Sequence, residues 1–458
     1  MMIQQFIFWV ITLVVFCIGS RQFMRVRRNI LLGHDLTNAG VGSSSNKLTR
    51  VKNVLLIAFG QKKMFKNWMP AIFHLFIYIA FLFTQIELIE ILLDGLFGFH
   101  RFFADKIGAL YNIIINSIEI LSVLAFVATV VFLARRNLLK IPRFRKSEMK
   151  GWPTLDANII LLAEVVLIIG IFTMNGADYL LQEIYPDRYP HTGPLLMSSQ
   201  IAPSLFGSLS YENLIFTERF GWWLHILVVF GFLIYLPYSK HLHIILSFPN
   251  VYYADLNPKG KMPNMPEVMN EVKSMLGLTA ETSSVEMSDK IPEFGAKDVT
   301  GLSWKNILDA YSCTECGRCT AECPANITGK KLSPRKIMMD VRDRATEMGA
   351  KLDTGSREYI HPDHVNEDIK LTKDNFYDGK SLFDYISREE IHACTTCNAC
   401  VEACPVLINP LSIILQLRRY EILTESSGPS DLTSMFTSLE NSGNVWQMPV
   451  EREAWIHQ

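Results

Sequence analysis

The amino-acid sequence predicts an all-α protein in two halves, a five-helix transmembrane bundle followed by a polar, helical domain. Three observations predict this fold class. Five apolar stretches lie before residue 248, the rest of the chain is polar, and eight of the nine cysteines fall in the polar part in two short runs. With 458 residues, the chain is too long for one ordinary core. We divide it into a membrane domain at 1–248, a linker at 249–300, a cysteine-bearing domain at 301–424 and a tail at 425–458.

The charge balance and the distribution of cysteines each exclude a class of protein. The chain has 44 basic and 45 acidic residues, so its net charge is −1. A balanced chain of this kind has no basic excess with which to bind nucleic acid. Secreted disulfide scaffolds are short and rich in cysteine throughout, so the two cysteine runs of this chain do not fit that class.

Five apolar stretches qualify by the roughly 20 mostly apolar residues that a membrane-spanning helix needs. The stretches are about 2–20, 70–93, 110–134, 155–175 and 221–247. The first one has no charge before its end, and its arginines follow the apolar run. A signal peptide has the opposite order, with positive charge first. We therefore expect a retained anchor.

Loop charges predict the orientation of the bundle. The connection at 21–69 carries ten Lys and Arg residues and the one at 135–154 carries seven, whereas 94–109 and 176–220 carry two each. Because basic loops stay in the cytoplasm, we expect the N-terminus outside. Everything after residue 247 is then cytoplasmic, and the protein is a multi-pass protein of a bacterial inner membrane.

Histidines within the apolar stretches are the first candidate site residues. A buried histidine in a membrane is a functional hypothesis, although it can also be hydrogen-bonded or interfacial. We expect His74 and His243 at the same depth on different helices, an arrangement that suits axial ligation of a b-type haem. His225 precedes His243 by 18 residues, five helical turns, so one face is expected to carry both and His241 to point away. The alternative is a kink at Pro237 that changes this phase.

A second haem is left open by the sequence. It would use His225 and a partner in the outer half of the second stretch. That region, 81–93, contains no histidine. The sequence therefore supports one haem b.

The polar half contains a repeated cysteine pattern. The first run is Cys313-Thr-Glu-Cys316-Gly-Arg-Cys319-Thr-Ala-Glu-Cys323-Pro, and the second is Cys394-Thr-Thr-Cys397-Asn-Ala-Cys400-Val-Glu-Ala-Cys404-Pro. Two C-x2-C-x2-C-x3-C-P runs are typical of ferredoxins with two [4Fe–4S] clusters, in which the fourth cysteine of each run binds the other cluster. Zinc sites usually show paired C-x2-C motifs instead, and disulfides are unexpected in a reducing compartment.

The crossover rule assigns each cysteine to a cluster. The ligands of cluster 1 are Cys313, Cys316, Cys319 and Cys404, and those of cluster 2 are Cys394, Cys397, Cys400 and Cys323. Helices are predicted at 333–348, 381–392 and 408–424, so the domain is expected to be a helical, dicluster, ferredoxin-like fold. Cys17 is interpreted as packing. Trp446 and Trp455 suggest that the tail is a docking surface, with folding back onto this chain as the alternative.

These features resemble a known arrangement. Five spans with histidine in the second and fifth resemble the cytochrome b (gamma) subunit of respiratory nitrate reductase. The segment Phe59-Gly-Gln-Lys-Lys63 before His74 is similar to heterodisulfide-reductase-like membrane iron–sulfur oxidoreductases, a group that includes reductases connecting electron-transfer flavoprotein to menaquinone. The cysteine runs and Ser333-Pro334-Arg335 resemble the iron–sulfur subunit of heterodisulfide reductase.

The sequence departs from these families in two places. Where the nitrate reductase pattern has a second histidine in the second span, this chain has Thr84. The reductases of the group usually carry a Cys-Cys-Gly module, and this chain has no adjacent cysteines. The resemblance therefore implies a separate Cys-Cys-Gly subunit as partner.

The resemblance implies an electron-transfer subunit of a membrane quinone oxidoreductase, with the substrate-side catalytic site on a partner chain. Electrons would pass between a cytoplasmic donor, such as electron-transfer flavoprotein, the two clusters, haem b and (mena)quinone. The alternatives are a menaquinol-dependent heterodisulfide or thiol–disulfide reductase and a membrane iron–sulfur redox sensor. We expect a quinone pocket lined by His225, with Glu87 or Glu119 relaying protons, since both carboxylates fall in the outer half of the spans. The alternative for these glutamates is a helix-end carboxylate that reaches water.

Overall fold

The computed structural model describes residues 2–35, 46–186, 189, 191–278, 293–364, 369–446 and 454–457. Part of the predicted linker, 279–292, and part of the tail, 447–453, lie outside the described residues. The described residues are mostly helical and contain no β-strand. Extended pairing is limited there to two isolated bridges, His34 with Ser303 and Ile360 with Phe376. The predicted all-α fold class is therefore confirmed.

The chain forms two compact units. The first consists of Met1–Arg27, Leu48–Tyr252 and Ser312–Gly317, and the second of Arg28–Lys47, Tyr253–Tyr311 and Arg318–Gln458. Up to Tyr252 the α-helices are α1 Met2–Ile30, α2 Lys47–Asn53, α3 Trp68–Phe97, α4 Ala104–Ile107, α5 Ala109–Asn137, α6 Trp152–Ile184, α7 Ser198–Phe206, α8 Tyr211–Tyr235 and α9 His243–Tyr252.

Five helical segments are long and apolar enough to cross a membrane, as the sequence predicts. They are Ile3–Ile30, Trp68–Phe97, Ala109–Asn137, Trp152–Ile184 and Tyr211–Tyr238. The first four contain most or all of the predicted stretches and extend beyond them. Because polar residues in the last turns do not stop a helix, hydropathy alone places these ends too early.

The fifth span differs from the predicted 221–247. It begins ten residues earlier, and α8 ends at Tyr235. A 3-10 turn containing Pro237 follows, and Ser239 is then extended, with φ −110° and ψ 150°. Proline lacks the N–H that would continue the helix. The expectation that His225 and His243 share a face of one continuous helix is therefore wrong, since His243 starts a separate helix, α9.

The core of the first unit lies between α6 and α8, which cross at two glycines. A Cβ atom on Gly221 would lie 2.5 Å from Met174 N and 2.9 Å from Gly170 O. The crossing therefore requires glycine on the α8 side. Aromatic side chains fill the space beside it, with Phe8 of α1 packing on Trp222 at 5.2 Å and on Phe230 at 5.8 Å between ring centroids.

The second unit is a cluster of short helices around α14. From Tyr253 onward the α-helices are α10 Pro266–Met275, α11 Trp304–Tyr311, α12 Arg318–Ala321, α13 Pro324–Ile327, α14 Pro334–Thr354, α15 Arg388–His392, α16 Ala399–Ala403, α17 Pro410–Arg419 and α18 Ser430–Ser442. The predicted helix at 333–348 corresponds to α14. The hydroxyl of Ser333 caps it by accepting a hydrogen bond from Lys336 N.

The other two predicted helices of this unit are interrupted. Residues 381–392 form a 3-10 turn, Leu382–Asp384, and the short helix α15. Residues 408–424 form α17 and a π-helical turn, Tyr420–Thr424. Both α15 and the 3-10 turn begin with a capping box, on Ser387 and Ser381. Each serine starts its own element, which explains why one predicted helix is two.

A buried ion cluster holds α14 in place. Arg344, 1% exposed, donates to Asp298 at 2.6 Å and to Asp378 at 2.7 Å. The guanidinium and Lys351 hold the pKa of the Asp378 carboxyl well below its usual range, although burial opposes this shift. The cluster fixes α14 relative to the segments around residues 298 and 378.

Candidate functional site

The loops of the two cysteine runs have the same local geometry. The second residue after the first cysteine is left-handed in each run, with φ 55° at both Glu315 and Thr396. Its N–H donates to the sulfur of that cysteine, at 3.4 Å to Cys313 Sγ and 3.4 Å to Cys394 Sγ. Hydrogen bonds to cysteine sulfur stabilise the thiolate form that an iron–sulfur cluster requires.

A second left-handed residue follows in each loop. It is Gly317, with φ 71°, in the first run and Asn398, with φ 60°, in the second. Glycine and asparagine are the residues that adopt this conformation most readily. The composition of the loops therefore follows from their shape, and the shape turns backbone N–H groups toward sulfur.

The structure brings the last cysteine of the first run close to the second run. The pKa of Cys400 is raised to about 12 by burial and by the neighbouring thiolates of Cys394, Cys323 and Cys397. Burial also raises the pKa of Cys394, with further contributions from Cys323 and Cys397. An iron centre reverses this penalty, because a coordinating thiol is deprotonated outright. These four thiols fit one cluster of the crossover pattern.

The predicted ligands of cluster 1 are divided between the two units. Cys313 and Cys316 belong to Ser312–Gly317 in the first unit, whereas Cys319 and Cys404 belong to the second. Cys404 is buried and accepts a hydrogen bond from Ile408 N at 3.3 Å. Among the described residues, no three His, Cys, Asp or Glu side chains meet at the spacing of a single bound metal ion. A [4Fe–4S] cluster does not need that spacing, because each of its four thiolates binds a different iron atom.

Three histidines come together in the first unit. The ring centroids of His241 and His243 are 5.9 Å apart. Burial, and then the neighbouring His243 and His74, lower the pKa of His241 to about 3. Burial also lowers the pKa of His243. The predicted pair His74 and His243 is therefore found in one cluster, which also contains His241.

Hydrogen bonds orient the two predicted haem ligands. His74 Nδ1 pairs with Gln61 Oε1 at 3.1 Å, and His243 Nδ1 pairs with Lys240 O at 3.0 Å. Because both partners are oxygens, each Nδ1 is the donor, and in this tautomer the lone pair is on Nε2. Histidines that bind metals are usually fixed in this way by a carbonyl or carboxylate. Both residues therefore fit haem ligation.

His225 lies at the crossing of α6 and α8. It is buried, its Nδ1 pairs with Leu167 O at 3.2 Å, and its backbone lies against Gly170. Among the described residues, neither Glu87 nor Glu119 hydrogen-bonds to it. Within the described residues, the three predicted quinone-site residues therefore lie in the same unit without a hydrogen bond between the histidine and either carboxylate.

The two glutamates differ in their surroundings. Glu119, fully buried, accepts hydrogen bonds from Met197 N at 2.8 Å, from Ser198 N at 3.3 Å and from the Ser198 hydroxyl. It therefore binds the start of α7 to α5. Glu87 instead pairs with Arg101 at 3.3 Å.

Arg101 is the centre of a polar cluster that sequence reasoning missed. It is buried and also donates to Asp178 at 3.0 Å and to Asn175 at 2.6 Å. Partly exposed His100 pairs with the same aspartate at 3.0 Å. Burial opposes a proton on His100, but Asp178 raises the pKa of this histidine overall. The signal for this cluster in the sequence was Arg101 itself, because the connection at 94–109 carries few basic residues.

Comparisons with known proteins agree with the cysteine geometry. Residues 312–408 match the 4Fe-4S dicluster domain family. The chain is 28% identical over 89% of its length to the probable iron-sulfur-binding oxidoreductase FadF of Bacillus subtilis, covering 55% of that protein. It is 24% identical over 89% of its length to the EtfAB:quinone oxidoreductase of Syntrophomonas wolfei, covering 54% of it. The chain thus spans about half the length of these curated relatives.

A third relative matches a shorter part of the chain. It belongs to the dihydromethanophenazine:CoB–CoM heterodisulfide reductase of Methanosarcina acetivorans and is one polypeptide of that enzyme. The chain is 27% identical to this polypeptide over 33% of its own length, covering 33% of the relative. No solved structure matches the chain. The predicted relationship to iron–sulfur oxidoreductases is confirmed, and so is the dicluster domain. The cytochrome b assignment stays a prediction.

Proposed function

We propose that this chain is the electron-transfer subunit of a membrane quinone oxidoreductase, with its substrate-side catalytic site on a partner chain. The observation that carries the proposal is the combination, in one chain, of a dicluster domain at 312–408 with five apolar helices. A dicluster domain accepts and passes single electrons. Apolar helices give access to a membrane-dissolved acceptor such as menaquinone.

The two clusters and haem b supply one-electron carriers when they are bound. The chain's own residues hold and isolate them. Two sets of four cysteines bind the clusters, Cys313, Cys316, Cys319 and Cys404 for one and Cys394, Cys397, Cys400 and Cys323 for the other. His74 and His243 bind the haem. The basic loops support a cytoplasmic location for the cysteine-bearing domain, where a soluble donor of the electron-transfer flavoprotein kind can reach it.

The quinone site of this proposal is built on the buried His225, with Glu87 or Glu119 relaying protons. Reduction of a quinone consumes two electrons and two protons, so its site needs a hydrogen-bond donor and a route for protons. Because His225 Nδ1 already donates to Leu167 O, its ring donates to a quinone oxygen through Nε2 in the imidazolium form, and a carboxylate supplies the route for protons. Of the two candidate carboxylates, Glu87 is the better proton carrier, because Glu119 already accepts three hydrogen bonds from the start of α7.

A second function is favoured by the similarity to the heterodisulfide reductase polypeptide. In that case menaquinol is the electron donor, and a partner carrying Cys-Cys-Gly modules reduces a disulfide. The electron carriers within this chain, two clusters and haem b, are the same in both functions. The direction of electron flow and the partner distinguish them.

The test uses the purified chain in liposomes that contain menaquinone. The chain is reduced chemically, excess reductant is removed, and re-oxidation is followed by the visible absorbance of the iron–sulfur clusters. We expect menaquinone to re-oxidise the chain, and a low-molecular-weight disulfide alone to have no effect. No re-oxidation by menaquinone would contradict the proposal.

The His225→Leu variant tests the quinone pocket in the same assay. We expect re-oxidation by menaquinone at least tenfold slower, with cluster and haem content unchanged. Leu167→Ile is the matched control, because it changes the side chain of the residue whose backbone oxygen pairs with His225. Unchanged re-oxidation in His225→Leu would remove this histidine from the pocket, and loss of haem would make it a ligand.

A further inference from the structure

Lys240 is a buried lysine between the first cysteine run and His243. Its side chain is 8% exposed. The ammonium donates to the carboxylate of Glu315 and to Pro153 O, the latter at 2.6 Å. Glu315, 2% exposed, stands between Cys313 and Cys316 in the same unit. The ammonium is therefore placed directly beside the loop that carries two predicted cluster ligands.

The backbone of Lys240 is fixed at both ends. Its N–H donates to Asp156 Oδ2 at 3.1 Å, and its carbonyl oxygen accepts the hydrogen bond from His243 Nδ1 at 3.0 Å. Asp156 is itself held by Tyr235, whose hydroxyl donates to Oδ1 at 2.5 Å. A single residue thus contacts the cysteine loop with its side chain and a predicted haem ligand with its main chain.

Stability alone does not explain this arrangement. Taking an ammonium and a carboxylate out of water costs several kcal/mol per ion, and the mutual attraction often no more than offsets that cost. Replacing such a pair with well-packed apolar residues is often neutral or stabilising. A fixed positive charge has a different use, because net charge and hydrogen bonds near the sulfurs set the reduction potential of an iron–sulfur cluster.

We propose that Lys240 is a positioning residue that raises the reduction potential of cluster 1 and links the cysteine loop to His243. The inference rests on the proposed function only in requiring that the cysteine runs hold clusters. The ammonium stabilises the reduced cluster, which carries one more negative charge than the oxidised cluster. The carboxylate of Glu315 has the opposite effect, and the hydrogen bond between them sets the balance.

The experiment measures the midpoint potentials of both clusters in the intact chain by redox titration with electron paramagnetic resonance. In Lys240→Met we expect at least a tenfold shift of cluster 1 toward the oxidised form at a fixed potential, which is a fall of 59 mV for one electron. Cluster 2 should be unchanged. Lys240→Arg, which keeps the charge, should restore most of the potential.

Glu315→Gln should shift the reduction potential of cluster 1 in the opposite direction. Removing this carboxylate while leaving Lys240 should raise the potential of cluster 1. A general loosening of the loop would move both variants in the same direction, so it is distinguishable from an electrostatic role. If the Lys240→Met protein does not accumulate, the direction of the shift in cluster 1 potential in Glu315→Gln still tests the electrostatic role.

Lys259→Met is the matched control. Lys259 also pairs with a glutamate of a cysteine run, Glu402, but the lysine is 65% exposed. Solvent screens such a pair, so we expect no measurable shift. Unchanged cluster 1 potentials in both Lys240→Met and Glu315→Gln would overturn the inference. Absence of clusters from the unmodified chain would instead overturn the proposed function.

Discussion

At the residue scale, the cysteines show how a spacing predicts which thiols come together. Cys323 is separated from Cys394 by 70 intervening residues. Yet its thiolate raises the pKa of both Cys394 and Cys400. Proximity of this kind is what the crossover pattern of two-cluster ferredoxins requires.

The first prediction concerns Cys323. Cys323→Ser should remove the cluster of the second run and leave that of the first, so iron should fall from about eight to about four atoms per chain. Iron analysis and electron paramagnetic resonance of the purified chain measure this. Cys17→Ser is the control, since Cys17 is exposed on α1. Loss of the first-run cluster instead would mean that ligation does not cross over.

The second prediction concerns the histidine cluster. His74→Ala should abolish a b-type haem spectrum, whereas His241→Ala should leave it in place. The reason is that His243 Nδ1 is fixed by Lys240 O, whereas His241 Nδ1 is buried and has no hydrogen-bond partner among the described residues. A pyridine–haem assay on each variant gives the result. Haem loss in His241→Ala but not in His243→Ala would exchange the roles of these two residues.

At the scale of elements, helix crossings depend on residues that hydropathy does not distinguish. Five apolar helices follow directly from the composition of the chain. The place where α6 and α8 touch does not, because it requires glycine at 221 and is tight at Gly170. Without a Cβ atom at these positions the two backbones approach closely, which is the usual way for membrane helices to gain packing energy.

The third prediction tests this crossing. Gly221→Ala should destabilise the chain by about 1–3 kcal/mol, because the added methyl group meets Met174 N and Gly170 O and the helices must separate. Gly231→Ala, on the same helix, meets no atom within 4 Å. It should be neutral, or stabilising by about 0.5–1 kcal/mol. Thermal unfolding in detergent compares the two, and equal melting temperatures would refute the close crossing.

The short elements show where local sequence signals were sufficient. Ser333 starts α14 as predicted, and its hydroxyl caps the helix. Ser381 and Ser387 each cap an element of their own, so the single helix predicted at 381–392 is divided. Capping boxes are visible in the sequence as a serine followed three residues later by an acid. This boundary was therefore present in the sequence, although the apolar pattern concealed it.

At the scale of the whole molecule, the orientation in the membrane decides which side receives electrons. The segment 135–154, from the end of α5 to the start of α6, carries seven basic residues, and the connection between α3 and α5 carries two. Basic residues are retained on the cytoplasmic side. The loop charges therefore predict that the cysteine-bearing domain is reached by cytoplasmic donors.

The fourth prediction tests this orientation. A green fluorescent protein fused after Lys140 should fluoresce, and an alkaline phosphatase fused after Lys106 should be active, because the first folds in the cytoplasm and the second only outside it. Exchanging the two reporters at these sites is the control and should silence both. The reverse pattern would place the cysteine-bearing domain outside and would contradict donation by a cytoplasmic protein.

The sequence by itself determined the fold class, the five spans and the dicluster domain. These depend on composition and spacing, and both are local properties. The repeated cysteine run specifies a ligand set because the cluster imposes its geometry on any chain with that spacing. Apolar length specifies a span because the bilayer has a fixed thickness.

Only the tertiary structure decided how the polar residues of the first unit are partnered. Glu119 and Glu87 look alike in sequence, but one binds the start of α7 and the other pairs with Arg101. The break after Tyr235 separates His225 from His243, and Lys240 meets Glu315 across 75 residues of sequence. Buried polar groups must find partners. Which partner is in reach depends on how distant segments pack, and no local pattern encodes that.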